Sequence, residues 1–258
     1  MKKIVVKVGG ALNVKHGVPR LPTIESYVKE ISEISQAINP FFTFVISGAI
    51  DIGFRLSFEE KMDMSPSGQS VYSMAGQTTL FDAYERVLRT YKFIPCSGTY
   101  TTKTLQNPHT SDVFKKTFNK KAVVLMNEAD NVNPEEIDGD NDPLAAKTAA
   151  LIEADILIIL SQLENGIQCR FPNKFGLICE NGIIKEINTS LITEKFISEI
   201  DNGKTSRKDS KGISPKMLAG RDACLGGVKK VVIANGLEDD ILKKILLENQ
   251  DVGTIIVP

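Results

Sequence analysis

The sequence predicts an α/β fold organised around a mostly parallel, open β-sheet, and three observations predict it. Residues 137–160, IDGDNDPLAAKTAALIEADILIIL, read as a polar loop, a helix and then a continuous apolar run. That run, Ile156 to Leu160, is too short for a spanning helix and suits a strand buried on both faces. Other short apolar runs, at Ile4 to Val8, Phe42 to Ile46 and Ala122 to Met126, end in glycine or polar residues in the same way. Between the first two, Ile24, Tyr27, Val28, Ile31, Ile34 and Ile38 repeat at three and four, the period of a helix laid on a sheet.

Ile4 to Val8 is the first predicted strand, with Gly9-Gly10 as the turn after it. Glycines directly after a strand allow backbone N–H groups to approach phosphate oxygens. Neither G-x-x-x-x-G-K-[ST] nor G-x-G-x-x-G occurs. Lys7 places a cation inside this apolar strand; it either faces whatever sits at the turn or snorkels from an edge strand. Thr23 can cap the helix that follows, and Pro40 ends it. The strand at Phe42 to Ile46 delivers Ser47-Gly48-Ala49 to its C-terminal end, where open parallel sheets hold their ligands. Ser47 is a binding residue or a simple helix cap; it is no hydrolase nucleophile, since G-x-S-x-G is absent and His16 and His109 are the only histidines.

Gly68 to Lys92 is largely helical, and Ile94 to Tyr100 begins as a strand and dissolves into Thr and Ser. The strand at Ala122 to Met126 presents Asn127, Glu128 and Asp130 before a turn at Asn133-Pro134. In the next helix Asp142 fits an N-cap and Pro143 the first helical position, with Leu144, Thr148, Leu151 and Ile152 on one face. Asp140-Asn141-Asp142 is thus a cap and solvated turn, or part of a site with the other polar strand ends. From Gly166 the pattern changes to short strands, with Glu180-Asn181-Gly182 signalling a hairpin. The almost apolar-free stretch 201–216 carries Lys204, Arg207, Lys208, Lys211 and Lys216 and reads, for most of these residues, as a surface loop. A helix at 214–225, a strand at Lys229 to Ala234, a helix near Asp239 to Leu247 and a strand at Thr254 to Val257 complete the chain.

A chain of 258 residues with 42% hydrophobic and 24% charged residues is long enough for a substantial core and ordinary for a globular protein. A net charge of -1 offers no electrostatic case for nucleic acid or an anionic membrane. The N-terminal apolar run is too short for a signal segment, so the chain is expected in the cytoplasm. Cys96, Cys169, Cys179 and Cys224 form no C-x-x-C pair, and four reduced, mostly buried thiols are the expectation.

KVGG near the start, SGAI after the second strand, NEADNV, GDNDPLAA, a late lysine before a helix and the closing VGTII together resemble the amino acid kinase family over the whole chain. The resemblance implies a three-layer αβα sandwich in one domain, with an acceptor-binding lobe to about residue 160 and a nucleotide-binding lobe beyond it. By the same resemblance the chain is expected to comprise the kinase domain alone, without the small C-terminal domain that many bacterial relatives append. The implied activity is ATP-dependent phosphorylation of the glutamate side-chain carboxylate, giving γ-glutamyl phosphate for proline synthesis. Lys7, Asp142 and Lys216 would be catalytic, with Asp142 orienting the two lysines. Ser47, Gly48, Asp130 and Asn141 would hold glutamate. Lys7, Gly9, Gly10, Ser161, Gln162, Gly212 and Lys216 would face the nucleotide. Mg²⁺ would be held mainly by the nucleotide phosphates, with no metal site on the protein. A homo-oligomer, dimer or tetramer, is expected by analogy.

The chain departs from the family pattern mostly in its nucleotide half. Ser161-Gln162 stands where Thr-Asp is usual, LENGIQCRFP only loosely follows G-L-Y-x-x-D-P, DSKGIS replaces a glycine-rich loop with Gly212 alone in register, and Pro215 replaces a threonine. In the acceptor half, Ala129 stands where Asn is usual. Two other functions are consistent with the strings: a kinase for carbamate, aspartate, a nucleoside monophosphate or isopentenyl phosphate, and a non-catalytic relative that binds an amino acid or nucleotide.

Overall fold

The computed structural model describes residues 1–118, 121–132, 141–163, 166–169, 175–201 and 212–258. The turn expected at Asn133-Pro134, together with Asp140, Lys204, Arg207, Lys208 and Lys211, lies outside the described residues. In chain order the first half comprises β1 (Lys3–Val8), α1 (Gly10–Asn13), a two-residue pair β2 (Val14–Lys15) and β3 (Val18–Pro19), α2 (Leu21–Ile38), β4 (Phe41–Ile46), α3 (Ala49–Ser57), α4 (Pro66–Thr90), β5 (Ile94–Tyr100), α5 (Pro108–Thr117) and β6 (Ala122–Glu128). The second half comprises α6 (Asp142–Leu151), β7 (Ile156–Ser161), β8 (Ile178–Glu180), β9 (Ile183–Asn188), α7 (Glu194–Asp201), α8 (Ser214–Leu225), β10 (Val231–Asn235), α9 (Ile241–Leu246) and β11 (Thr254–Val257).

One nine-stranded sheet takes the order β5-β6-β4-β1-β7-β10-β11-β9-β8. Its pairings are parallel except β10 with β11 and β8 with β9, so β1, β4, β6, β7 and β10 all end at the same edge. Side-chain alternation divides the core into two layers. On one face Ile4, Val6 and Val8 pack with Phe42, Phe44, Ile158 and Leu160 against α2, α4 and α9. On the other, Val5, Val45, Val124, Leu157 and Ile159 pack against α6 and α8. This is the expected three-layer αβα sandwich. Among the described residues no helix is long and apolar enough to cross a membrane.

Several local expectations are corrected. Helix α2 begins at Leu21, so Thr23 lies inside it; Pro22, which needs no N–H partner in the first turn, starts the helix earlier than the threonine would. Strand β5 keeps its pairing with β6 through Thr99 and Tyr100 instead of dissolving, because β6 itself extends to Glu128. Asn181 and Gly182 turn the β8–β9 hairpin with φ of 51° and 76°, the signature the Asn-Gly pair predicts.

The cysteine expectation also fails: Cys169 and Cys179 form a disulfide with Cα atoms 6.0 Å apart, leaving Cys96 and Cys224 as thiols. Both half-cystines lie against the start of β9. Cys169 N donates to Gly182 O at 2.7 Å, and Cys179 pairs with Ile184. Their spacing in sequence carries no sign of that convergence.

Candidate active site

Lys7 shares a face of β1 with Val5, so strict alternation turns it toward α6. Its side chain is fully buried, because β1 is an interior strand, with β4 on one side and β7 on the other; the snorkelling alternative is excluded. Its Nζ lies 2.9 Å from Oδ1 of Asp142, and Lys216 Nζ donates to Oδ2 of the same carboxylate at 3.1 Å. Buried charges persist when paired, and one carboxylate here serves two ammonium groups brought from β1 and α8. The three side chains together carry more positive than negative charge, which suits an incoming phosphoryl group better than a bare cation.

Asp142 is the first residue of α6 and not its N-cap. Asn141 occupies the cap position, and neither side chain caps a backbone N–H. The polar cluster is spent on tertiary contacts instead. Asn141 Nδ2 donates to Ile46 O at 2.5 Å and to Asn127 Oδ1 at 2.5 Å, which ties the start of α6 to the ends of β4 and β6. Asn127 Nδ2 in turn donates to Gln77 Oε1 on α4 at 2.7 Å. Asp130, buried, is held from the same helix: Ser73 Oγ donates to Oδ2 at 2.5 Å and Ser70 Oγ to the Asp130 carbonyl at 2.9 Å.

The glycine turn after β1 and the Ser47-Gly48 turn after β4 are pinned together by Asn13. Its Nδ2 donates to Val8 O at 3.2 Å and Ser47 O at 2.9 Å, while its Oδ1 accepts from Tyr84 OH at 2.6 Å. Burial pushes the Tyr84 phenol well up, which keeps it a donor. Gly48 has φ +119°, and a Cβ there would fall 2.6 Å from Val14 Cγ2, so both conformation and space demand glycine. Gly9 N donates to Leu160 O at 3.1 Å, and the Gly10 Cβ position is 3.6 Å from Gly48 Cα. The hydroxyl of Ser47 is buried with no partner among the described residues.

On the other side of the sheet centre, Ser161 ends β7 and accepts from Gly236 N at 2.9 Å, and Gln162 Nε2 donates to Ala11 O at 3.0 Å. Gly212, with φ +74°, leads into α8, whose third residue is Lys216. The fold therefore joins Lys7, Asp142, Lys216 and Asn141 directly. Asp130 and Ser47 stand at neighbouring strand ends, and Gln162 is tied to the Gly9–Ala11 turn. Sequence reasoning passed over Asn13, Ser70, Ser73 and Gln77 and did not count Asn127 as a site residue. The spacing of Ser70, Ser73 and Gln77, at i, i+3 and i+7 on one helix face, is the signal that a polar stripe of α4 turns inward.

Residues 2–235 match the amino acid kinase family, and the chain belongs to it. The glutamate 5-kinase of a Thermoanaerobacter species is 31% identical over 266 residues, covering 99% of this chain and 68% of that protein. The glutamate 5-kinase of Clostridium perfringens is 31% identical over 267 residues, covering 99% of this chain and 95% of that one. With these relatives the chain is a phosphotransferase. The solved UMP kinase of Ureaplasma parvum superposes over all of both chains with a TM-score of 0.66 at 14% identity. N-acetylglutamate synthase of Neisseria gonorrhoeae superposes with a TM-score of 0.67 at 16% identity, this chain spanning 59% of that longer one. At such identities these structures establish the shared fold.

Proposed function

We propose that the protein transfers the γ-phosphoryl group of ATP to the side-chain carboxylate of glutamate, giving γ-glutamyl phosphate, the first step of proline synthesis. The observation that carries this reading is Asp142 held between Lys7 and Lys216 while its neighbour Asn141 is hydrogen-bonded to Asn127. The clamp and the acceptor-side amides thus adjoin within one helical turn. A carboxylate nucleophile is already ionised at neutral pH, so no general base is needed. A carboxylate oxygen forms the new P–O bond while the bond to the bridging oxygen breaks, its electron pair leaving with ADP. Lys7 and Lys216 neutralise charge on the phosphoryl oxygens, and Asp142 fixes both ammonium groups in place.

Residues to about 160 supply the acceptor side, with Ser47, Gly48, Asp130 and Asn141 around glutamate. Gly9, Gly10, Ser161, Gln162 and Gly212 lie toward the nucleotide, and Mg²⁺ arriving on its phosphates adds positive charge there. The test is hydroxylamine trapping of the acyl phosphate with Mg-ATP and glutamate, with aspartate and carbamate run in parallel. Glutamate-dependent hydroxamate with matching ADP release is the expected result. Hydroxamate with aspartate but not glutamate, or ADP release only with carbamate, would overturn the acceptor assignment. Calorimetric glutamate binding without turnover would overturn the activity itself.

A further inference from the structure

Helices α3 and α4 touch backbone to backbone. A Cβ on Gly76 would fall 1.9 Å from Ala49 O, and one on Gly53 would fall 1.8 Å from Tyr72 O. Helix α3 starts immediately after Ser47-Gly48, so this close approach fixes the inward stripe of α4 relative to the end of β4.

Along that stripe the hydrogen-bond directions are forced. The backbone carbonyl of Ile46 can only accept, so the Asn141 group facing it must be the donor NH₂. The second hydrogen of that NH₂ goes to Asn127 Oδ1, which obliges Asn127 to present its own NH₂ to Gln77 Oε1. Gln77 is therefore left with its NH₂ as the outward end of the relay. That Nε2 is buried and has no acceptor among the described residues. The other end of the relay, at Ile46, adjoins the Ser47 hydroxyl, a second buried polar group without a partner there. A buried donor without an acceptor is costly, and the need is met by a ligand that brings one.

We infer that Gln77 is a specificity residue whose Nε2 donates to the α-carboxylate of the acceptor. This rests on the glutamate reading above. The relay begins at Asn141, beside the phosphoryl clamp, and ends at Gln77. The carboxylate to be phosphorylated lies at the first end and the other carboxylate at the second. Ser73, one turn away on α4, holds Asp130 and is a positioning residue for the same acceptor.

Gln77→Glu tests this cleanly. It keeps the oxygen that accepts from Asn127 and replaces only the donor NH₂, so a purely structural role of Gln77 survives it. The expected result is a glutamate KM raised at least about tenfold, with the ATP KM unchanged. In addition, the preference in kcat/KM for glutamate over its α-carboxamide analogue falls at least about tenfold, because the new carboxylate accepts from the amide that Gln77 cannot satisfy. A glutamate KM within twofold of wild type, or an unchanged preference between the two acceptors, overturns the inference. Wild-type turnover with glutamate is the control. If it fails while another acid is phosphorylated, the glutamate reading falls on its own.

Discussion

Lys7 Nζ lies 2.9 Å from Asp142 Oδ1, and neither side chain has any exposed surface. A charged pair at that depth is stable only as a unit. Asp142→Ala leaves two ammonium groups facing one another without their carboxylate, and we expect it to remove most turnover and to destabilise the fold by about 3–5 kcal/mol. Lys216→Ala leaves Lys7 and Asp142 paired, so it is expected to lower kcat by roughly 10²-fold or more with a smaller change in Tm. Steady-state kinetics beside thermal melts check both, and near wild-type turnover in either variant would remove the clamp from the mechanism.

Asn141 and Asp130 are expected to act on the acceptor and not on the nucleotide. Asn141→Ala breaks the links to Ile46 and Asn127, and Asp130→Ala removes the carboxylate that accepts from Ser73 while leaving the backbone carbonyl that accepts from Ser70. Each should raise the glutamate KM by about tenfold or more while the ATP KM stays put. If the ATP KM moves and that of glutamate does not, the assignment of the two halves is reversed.

Glu30 gives the fold a pH dependence of its own. Its carboxyl is buried between α2 and α9, where Oε2 accepts from Leu242 N at 2.7 Å and Lys243 N at 3.2 Å. Burial raises its pKa from 4.5 to about 7, against the opposing pull of those N–H donors. The folded protein therefore binds a proton that the unfolded chain has released between those two values. Stability from this group is complete below pH 4.5, falls as pH rises to about 7, and is level above it. Glu30→Gln should flatten that decline, worth up to about 3 kcal/mol, and the check is the wild-type minus variant difference in urea unfolding across pH 4.5–8.

The Cys169–Cys179 bridge closes a short loop, its ends separated by 10 residues. Chain-entropy reasoning gives it about 3 kcal/mol of stability. In denaturant without reductant, thiol titration should find Cys96 and Cys224 alone, and adding dithiothreitol should lower Tm. Four titratable thiols before reduction would remove the bridge.

The sheet was legible because its strands are buried on both faces and read as unbroken apolar runs, as Phe42 to Ile46 and Ile156 to Leu160 do. The three charged residues of the clamp could be named from the family resemblance, and the fold brings their side chains together. Local rules misplaced Asp142, since an N-cap preference describes a helix start in isolation and tertiary pairing with two lysines overrides it. The roles of Asn13 and Gln77 could not be read along the chain. Each polar group becomes meaningful only once Ser47 and Val8, or Asn127 and α4, are side by side. The disulfide was hidden for the same reason.

The first strand to be made is an interior strand of the finished sheet. As the chain leaves the ribosome, β5, β6, β4 and β1 can assemble as a half-sheet while everything from α6 onward is still to emerge. Until then β1 is an open, apolar edge, the kind that pairs with the wrong neighbour. Lys7 lies on that edge, and with Asp142 not yet present its ammonium group holds on to water. The side chain that is buried in the clamp of the folded protein is thus a charge on an uncovered strand until α6 and β7 are made.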